Sequence, residues 1–82
     1  MKTLAEILPS IEPLQIVGEQ NVTVAGLTLD SREAEVNFLF AAIKGVSSDG
    51  HSFIGTAVNR GASVILCESL PEVLQNACYV QV

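Results

Sequence analysis

Three largely apolar segments, each the length of one β-strand, constrain the fold of this chain more than any other feature. They lie at residues 38–43, 62–67 and 78–82, and polar or glycine-containing segments separate them. The first, at 38–43, is a continuous apolar run, which is typical of a strand covered on both faces, as in a parallel sheet. The sequence therefore predicts a sheet with a deeply buried centre.

A helix is predicted between the first two runs, over residues 50–60. Asp49 is suited to cap it, and Gly61 stands just past its end, where a positive φ is common. A strand, a helix and a second strand in this order predict a right-handed parallel crossover. The predicted fold class is α/β, a small mixed, partly parallel sheet flanked by helices.

The rest of the chain contributes shorter predicted elements. Thr3 and Glu6 have the spacing of a capping box and predict a short helix that Pro9 ends. Residues 10–19 are expected to be a connection, 22–25 and 26–29 to be β-strands, and 33–36 to be a loop or one turn. Ser69 and Glu72 repeat the capping-box spacing and predict a last short helix over residues 70–77.

The composition bounds the class of protein. A length of 82 residues indicates one domain. A hydrophobic content of 49% is rich for a domain of this size, which suggests that one of its faces packs against another domain or a partner. No apolar run approaches the roughly 18 residues of a membrane span, and the first residues lack the apolar region of a secretory signal. Since a natural terminus is more often polar, the apolar extended end favours an N-terminal piece of a longer protein.

Charge and cysteine usage exclude two further classes of site. The net charge is −5, and the four basic residues are scattered singly, which argues against nucleic-acid binding. Cys67 and Cys78 lack nearby ligand-type residues, and His51 is the only histidine, so no metal site is predicted. Buried, reduced thiols are the commonest role for such cysteines, although the sequence leaves a disulfide open. Together these features favour the cytoplasm.

Two polar clusters follow two of the predicted strands. Residues 30–32 follow the strand at 26–29, and residues 44–51 follow the strand at 38–43. If the strands are parallel neighbours, both clusters lie on one rim of the sheet, where hydroxyls, amides and glycines suit an anionic or nucleotide-like ligand. The alternative is that the polar residues only build turns. Asp30 is expected to be a turn-builder, and His51 a helix-end or packing residue rather than a catalyst.

These segments, taken together, resemble the N-terminal domain of the Mur ligases, ATP-dependent enzymes of peptidoglycan biosynthesis. The resemblance covers roughly residues 26–68 without a gap. It is carried by Asp30-Ser31-Arg32, Leu39-Phe40-Ala41-Ala42, Gly45, Asp49-Gly50-His51, Phe53-Ile54, Ala57 and Gly61-Ala62. The chain departs from the family pattern at Asn37-Phe38, where Gly-Asp is usual.

The resemblance implies both a domain and its site. Residues 1–82 would form a single N-terminal domain that binds the UDP end of the substrate, cut from a longer ligase. The UDP contacts would come from Leu29 and Ser31 and from the stretch Val46, Ser47 and Ser48. Relatives can carry His-Gln-Ala in that stretch, so backbone contacts are expected there. Arg32, Lys44 and Gly45 are supporting candidates.

The implied activity belongs to the longer enzyme. The opening of the matching segment is most similar to the ligase that adds meso-diaminopimelate or L-lysine to UDP-N-acetylmuramoyl-L-alanyl-D-glutamate. Such a cytoplasmic enzyme serves cell-wall biogenesis, cell shape and cell division, and uses ATP and Mg²⁺ bound by a downstream domain. No P-loop sequence is present here, so no catalytic residue is assigned and this chain alone is expected to be inactive.

Two alternatives remain beside this interpretation. One is the same domain of the D-alanyl-D-alanine-adding Mur ligase, whose first domain has a similar Asp-Gly-His element. The other is a non-catalytic α/β interaction domain, in which the polar rim is only turn chemistry. A P-loop further along the encoded protein is expected for either ligase and not for an interaction domain.

Overall fold

The main sheet lies across the molecule and mixes parallel and antiparallel pairs. A computed structural model describes residues 2–42, 50–71, 74 and 77–82 of the chain. Its elements in order are β1 (Lys2–Thr3), α1 (Leu4–Ile11), β2 (Gln15–Val17), β3 (Thr23–Val24), β4 (Gly26–Thr28), β5 (Phe38–Ala42), α2 (Ile54–Asn59), β6 (Val64–Cys67) and β7 (Cys78–Gln81), with 3₁₀ turns at Ser31–Glu33 and Gly50–Phe53.

Within the described residues, five strands form one sheet in the order β2-β7-β6-β5-β4, and β1 pairs with β3 in a separate two-stranded sheet. The pairs β4–β5, β5–β6 and β6–β7 are parallel, whereas β2 runs antiparallel to β7. The predicted mixed, partly parallel sheet is thereby confirmed. The strand–helix–strand crossover through α2 does join parallel neighbours.

The predicted burial of the central strands on both faces is also confirmed. Along β5, Phe40 and Ala42 belong to the core cluster that contains Ile54 and Ala57 of α2. The intervening Leu39 and Ala41 point into the other cluster, beneath α1. Successive strand residues face opposite sides of a sheet, so a continuous apolar run fills both cores at once.

The two faces are not equally covered. An open apolar groove of about 410 Å³ lies beside α1, and Ile7, Leu27 and Leu66 are among the residues that line it. Leu27 remains 64% exposed. The sheet is therefore closed by α2 on one face and only partly closed by α1 on the other.

The first helix differs from its prediction at both ends. Thr3 occupies the N-cap position without a side-chain cap hydrogen bond, so the predicted capping box does not form. The helix also continues past Pro9 to Ile11, and Glu12 ends it with a left-handed φ of 54°. Leu8 and Ile11 pack in the same core cluster on either side of Pro9, and this packing offsets the helical hydrogen bond that proline removes.

Three other elements also correct the sequence predictions. Residues 10–19 are not only a connection, because they contain β2. The helix predicted over 50–60 is divided into a 3₁₀ turn and α2, although Gly61 follows it with a φ of 108°, as expected. No helix is found at the described residues Leu70, Pro71, Leu74 and Ala77, while the other residues of that predicted helix, like the predicted cap Asp49, lie outside the described part of the chain.

The two cysteines are buried free thiols. Cys67 lies in the cluster beneath α2 and Cys78 in the cluster beneath α1. Burial raises the pKa of both thiols, because the thiolate is poorly solvated there. The disulfide that the sequence left open does not form in this structure.

Candidate functional site

The polar segments that follow the parallel strands lie at one edge of the sheet. Because β4, β5 and β6 are parallel neighbours, their carboxyl ends meet at this edge. We call it the carboxyl rim, and its described residues are 28–33, 50–53 and 67–69. The sequence predicts that the strands at 26–29 and 38–43 are neighbours. This is confirmed, because they pair in parallel and Thr28 lies opposite Phe40.

Thr28 fixes the first bend of the rim. Its side chain is buried, and its Oγ1 atom accepts a hydrogen bond from the amide of Asp30 at 3.0 Å. The same hydroxyl donates to the carbonyl oxygen of Asp30 at 3.1 Å. Short-range bonds of this kind let a threonine side chain hold the backbone two residues on. The chain therefore leaves β4 through a defined turn.

Asp30 and Arg32 form the next part of the rim. Oδ1 of Asp30 accepts hydrogen bonds from the amide of Arg32 at 2.9 Å and from its Nε at 3.0 Å. Oδ2 accepts from Nη2 of Arg32 at 2.8 Å. These bonds to Arg32 lower the pKa of the Asp30 carboxyl to about 2. Asp30 has the predicted turn-building role, and it leaves the Arg32 side chain 86% exposed.

Ser31 and Leu29, the two described candidates for ligand contact, differ in exposure. Ser31 is 6% exposed, and within the described residues its hydroxyl makes no hydrogen bond. Leu29 is 63% exposed. A hydroxyl that no described residue engages is available to donate to a ligand oxygen. The structure brings both residues to the rim, and their contact with a ligand stays a prediction.

The second half of the predicted site lies outside the described residues. It comprises Lys44, Gly45, Val46, Ser47 and Ser48. In the sequence they follow β5 after one intervening residue, Ile43. Their predicted contacts therefore stay predictions.

Sequence reasoning missed a contact made by His51. Its Nε2 atom accepts a hydrogen bond from the amide of Glu68 at 3.1 Å and another from the amide of Ser69 at 3.2 Å. The predicted helix-end position is correct, since His51 lies in the turn before α2, but its partners are 17 and 18 residues away in sequence. Only the crossover topology brings them together, and no local spacing signals it.

Two observations bear on the chemistry of the described rim. Across residues 2–42, 50–71, 74 and 77–82, no three His, Cys, Asp or Glu side chains gather as they would around a metal ion. The exposed Asp30 carboxylate is engaged by Arg32 and has a lowered pKa, which makes it a poor base at neutral pH. No helix of the described residues is long and apolar enough to cross a membrane.

Comparison with known proteins gives a consistent family. Residues 23–80 match the model of the Mur ligase family, catalytic domain. The chain is 46% identical over 80 residues to the UDP-N-acetylmuramoyl-L-alanyl-D-glutamate–2,6-diaminopimelate ligase of Bacteroides fragilis, covering 96% of this chain and 16% of that protein. It is 40% identical over 79 residues to the protein named diaminopimelate ligase 1 in Clostridium acetobutylicum, again over 96% of this chain and 16% of the relative.

Solved structures agree on the fold. A crystal structure of MurF from Acinetobacter baumannii aligns with a TM-score of 0.80 over 98% of this chain and 17% of that one, at 21% sequence identity. A MurF ligase from Thermotoga maritima, solved in complex with ADP, aligns with a TM-score of 0.62 and 30% identity over 74% of this chain and 13% of that one. The chain thus spans about a sixth of the length of the relatives it matches.

Proposed function

The chain belongs to the Mur ligase family, and from that premise we propose that it holds the UDP end of a peptidoglycan precursor. The observation that carries the proposal is the carboxyl rim, where β4 and β5 end side by side. At this rim the Ser31 hydroxyl is free of partners among the described residues. The phosphate oxygens of a nucleoside diphosphate accept hydrogen bonds from hydroxyl and amide donors of this kind.

The proposed contacts are those predicted from the sequence. Leu29 contributes an exposed apolar side chain for the base or sugar, and Ser31 contributes its hydroxyl for a phosphate or sugar oxygen. Val46, Ser47 and Ser48 contribute backbone contacts from the neighbouring strand end. Arg32, Lys44 and Gly45 have supporting roles. Because Arg32 is held by Asp30 and is still largely exposed, it adds positive charge at the rim's surface.

The proposed parent is the ligase that adds meso-diaminopimelate, or L-lysine, to UDP-N-acetylmuramoyl-L-alanyl-D-glutamate. Relatives that carry the diaminopimelate ligase name match this chain at 46% and 40% identity. The D-alanyl-D-alanine-adding ligase is the alternative. The Acinetobacter likeness, at 21% identity, is one of fold and does not favour it.

The chemistry of the proposed enzyme belongs to the remainder of a longer protein. We propose that residues 1–82 are its N-terminal domain, and that a downstream domain binds ATP and Mg²⁺. When bound, ATP activates the substrate's carboxylate for attack by an amine. The Gly-x-x-x-x-Gly-Lys-Ser/Thr sequence is absent from this chain, and none of its residues is assigned to ATP. The isolated chain is then inactive, and a cytoplasmic enzyme fits its two free cysteines.

A residue-resolved NMR titration of the chain with UDP-N-acetylmuramoyl-L-alanyl-D-glutamate tests the proposal. We expect saturable shifts at residues 29–32 and 45–50. The control ligand is N-acetylmuramoyl-L-alanyl-D-glutamate without UDP, which should leave those residues unmoved because it lacks the nucleotide they hold.

A second titration uses the full-length protein and decides the case in which the isolated chain does not respond. Binding by the full-length protein with shifts at the same residues places the site correctly and shows that other domains complete it. If the full-length protein binds the precursor while the rim residues stay unmoved, or responds equally to both ligands, the proposed role of the rim is wrong.

A further inference from the structure

His51 joins two parts of the carboxyl rim that are distant in sequence. It lies in the 3₁₀ turn Gly50–Phe53, directly before α2. Its Nε2 atom accepts hydrogen bonds from the backbone amides of Glu68 and Ser69, which follow the last residue of β6. Two successive backbone donors thus converge on one side-chain nitrogen, at 3.1 and 3.2 Å.

This geometry defines the chemical state of the imidazole. A ring nitrogen that accepts a hydrogen bond cannot carry a proton. Nε2 of His51 is therefore unprotonated, the ring is neutral, and its single proton is on Nδ1. An imidazolium has no acceptor nitrogen and would set an N–H group against two others.

The segment after β6 that bonds to His51 also makes hydrogen bonds to the end of the chain. Nε2 of Gln81, in β7, donates to the carbonyl oxygen of Glu68 at 3.0 Å. The amide of Val82 donates to the carbonyl oxygen of Cys67 at 2.9 Å. The peptide groups after β6 are therefore fixed to β7 on one side, and His51 links them to the turn before α2 on the other.

We propose that His51 is a positioning residue for the carboxyl rim. As a neutral, Nδ1-protonated imidazole, it ties the turn Gly50–Phe53 to the end of β6 and so sets where α2 begins relative to the sheet. Gly50 comes two residues after Ser48, one of the proposed UDP contacts. His51 thus prepares the rim for the nucleotide without touching it. This role in binding rests on the proposed function.

The first test measures the tautomer of the wild-type protein. With ¹⁵N-labelled histidine, the two ring nitrogens give distinct shifts for protonated and unprotonated states. At a pH where the ring is neutral, we expect the proton on Nδ1 and an unprotonated Nε2. A ring with its proton on Nε2 would overturn the proposal, and this measurement requires no variant to fold.

The second test compares two variants of His51. His51→Phe keeps a planar ring without an acceptor, and His51→Gln places an acceptor oxygen at a similar reach. Since a net hydrogen bond is worth up to about one power of ten, we expect amide exchange at Glu68 and Ser69 to rise about tenfold in His51→Phe. His51→Gln should recover part of that protection.

A matched control separates this contact from general loosening. Gln81→Met removes the bond to the Glu68 carbonyl but leaves the two bonds to His51 in place. The Ser69 amide should then exchange within about twofold of the wild-type rate, well below the change expected from losing a hydrogen bond. Equal exposure of Ser69 in Gln81→Met and His51→Phe would overturn the specific role of His51.

Binding of the UDP precursor by the full-length protein tests the positioning claim itself. We expect His51→Phe to weaken binding by about three- to tenfold and His51→Gln to restore most of it. If the wild type binds and His51→Phe binds equally well with its amides exposed, the positioning role is wrong. If the wild type does not bind, the proposed function fails instead, and the tautomer and exchange data still decide the contact.

Discussion

The interior of the sheet and its carboxyl rim are built by different kinds of interaction. In the interior, β5, β6 and β7 bring together residues such as Phe40, Ile65 and Tyr79, each at most 1% exposed. At the rim, the bonds among Thr28, Asp30 and Arg32 span only two residues in sequence. The interior depends on tertiary contact, whereas this part of the rim is organised locally.

This difference separates stability from binding. Burial of apolar area is the dominant favourable term in folding, so the interior strands account for most of the stability. The exposed bonds between Asp30 and Arg32 add little to it, but they help to hold the backbone in the shape that presents Ser31. Changes in the interior are therefore expected to unfold the chain, and changes at the rim to alter ligand contact or local titration.

The largest expected effect comes from Phe40→Ala. Phe40 is 1% exposed and packs in the cluster beneath α2. Removing a buried phenylalanine ring costs about 3–5 kcal/mol through lost transfer energy and the cavity left behind. Urea unfolding followed by circular dichroism should show a marked fall in the midpoint. For a domain of this size, much of the population can be unfolded in water.

Phe53→Ala is the matched control for Phe40→Ala. Phe53 is 43% exposed and lies in the turn before α2 rather than in the sheet. Its removal should cost clearly less, about 1 kcal/mol or below. If Phe40→Ala and Phe53→Ala lost similar amounts of the free energy of unfolding, the distinction between interior and rim would be wrong.

The next effect in size is expected at Thr28, where the interior ends and the rim begins. Thr28→Val keeps the shape of the buried side chain but removes the acceptor of the Asp30 amide. Leaving a part-buried donor unpaired costs about 1–3 kcal/mol. The same unfolding measurement checks it, with Thr23→Val in the short strand β3 as a control expected to change stability by less than about 0.5 kcal/mol. A neutral Thr28→Val would mean that the bend is held by other contacts.

The interior was predictable from the sequence because its signals are local. A continuous apolar run such as Phe38–Ala42 indicates a strand buried on both faces, whatever its partners are. Gly61 likewise signalled the end of α2 through its own backbone preference. The parallel pairing of β5 with β6 followed from the intervening helix, since few topologies connect such elements.

What the sequence could not supply depends on tertiary partners. β2 has three residues and forms because Ile16 pairs with Val80 at the other end of the chain. The helix passes Pro9 because Leu8 and Ile11, on either side of it, pack in one cluster. His51 finds its two amides only when β6 lies beside β5. At the rim, the pairing of Arg32 with Asp30 is set by the shape of the turn.

Titration of Asp30 tests whether its local bonds to Arg32 organise this part of the rim. Its pKa is lowered to about 2 from 3.8. Because the folded-state value is depressed, the stability it contributes is present above about pH 4 and is lost as the pH falls toward 2. NMR of the side-chain carboxyl carbon should show this midpoint directly. In Arg32→Gln the midpoint should rise toward 3.8, and Arg32→Lys, which keeps the charge without the paired geometry, should lie between.

The smallest expected effect on stability, and the most informative for the comparison, is that of Ser31→Ala. The Ser31 hydroxyl makes no hydrogen bond within the described residues, so its removal should change the free energy of unfolding by less than about 0.5 kcal/mol. Affinity for the UDP precursor in the full-length protein should nevertheless fall by more than about twofold, since the hydroxyl is a proposed ligand contact. Stability and affinity are measured on the same variant, by unfolding and by calorimetric titration. If affinity is unchanged and stability falls as it does in Thr28→Val, Ser31 is a turn-building residue and the rim is structural. If stability holds and affinity falls, the rim hydroxyl serves a ligand, and the separation of interior from rim is one of function as well as structure.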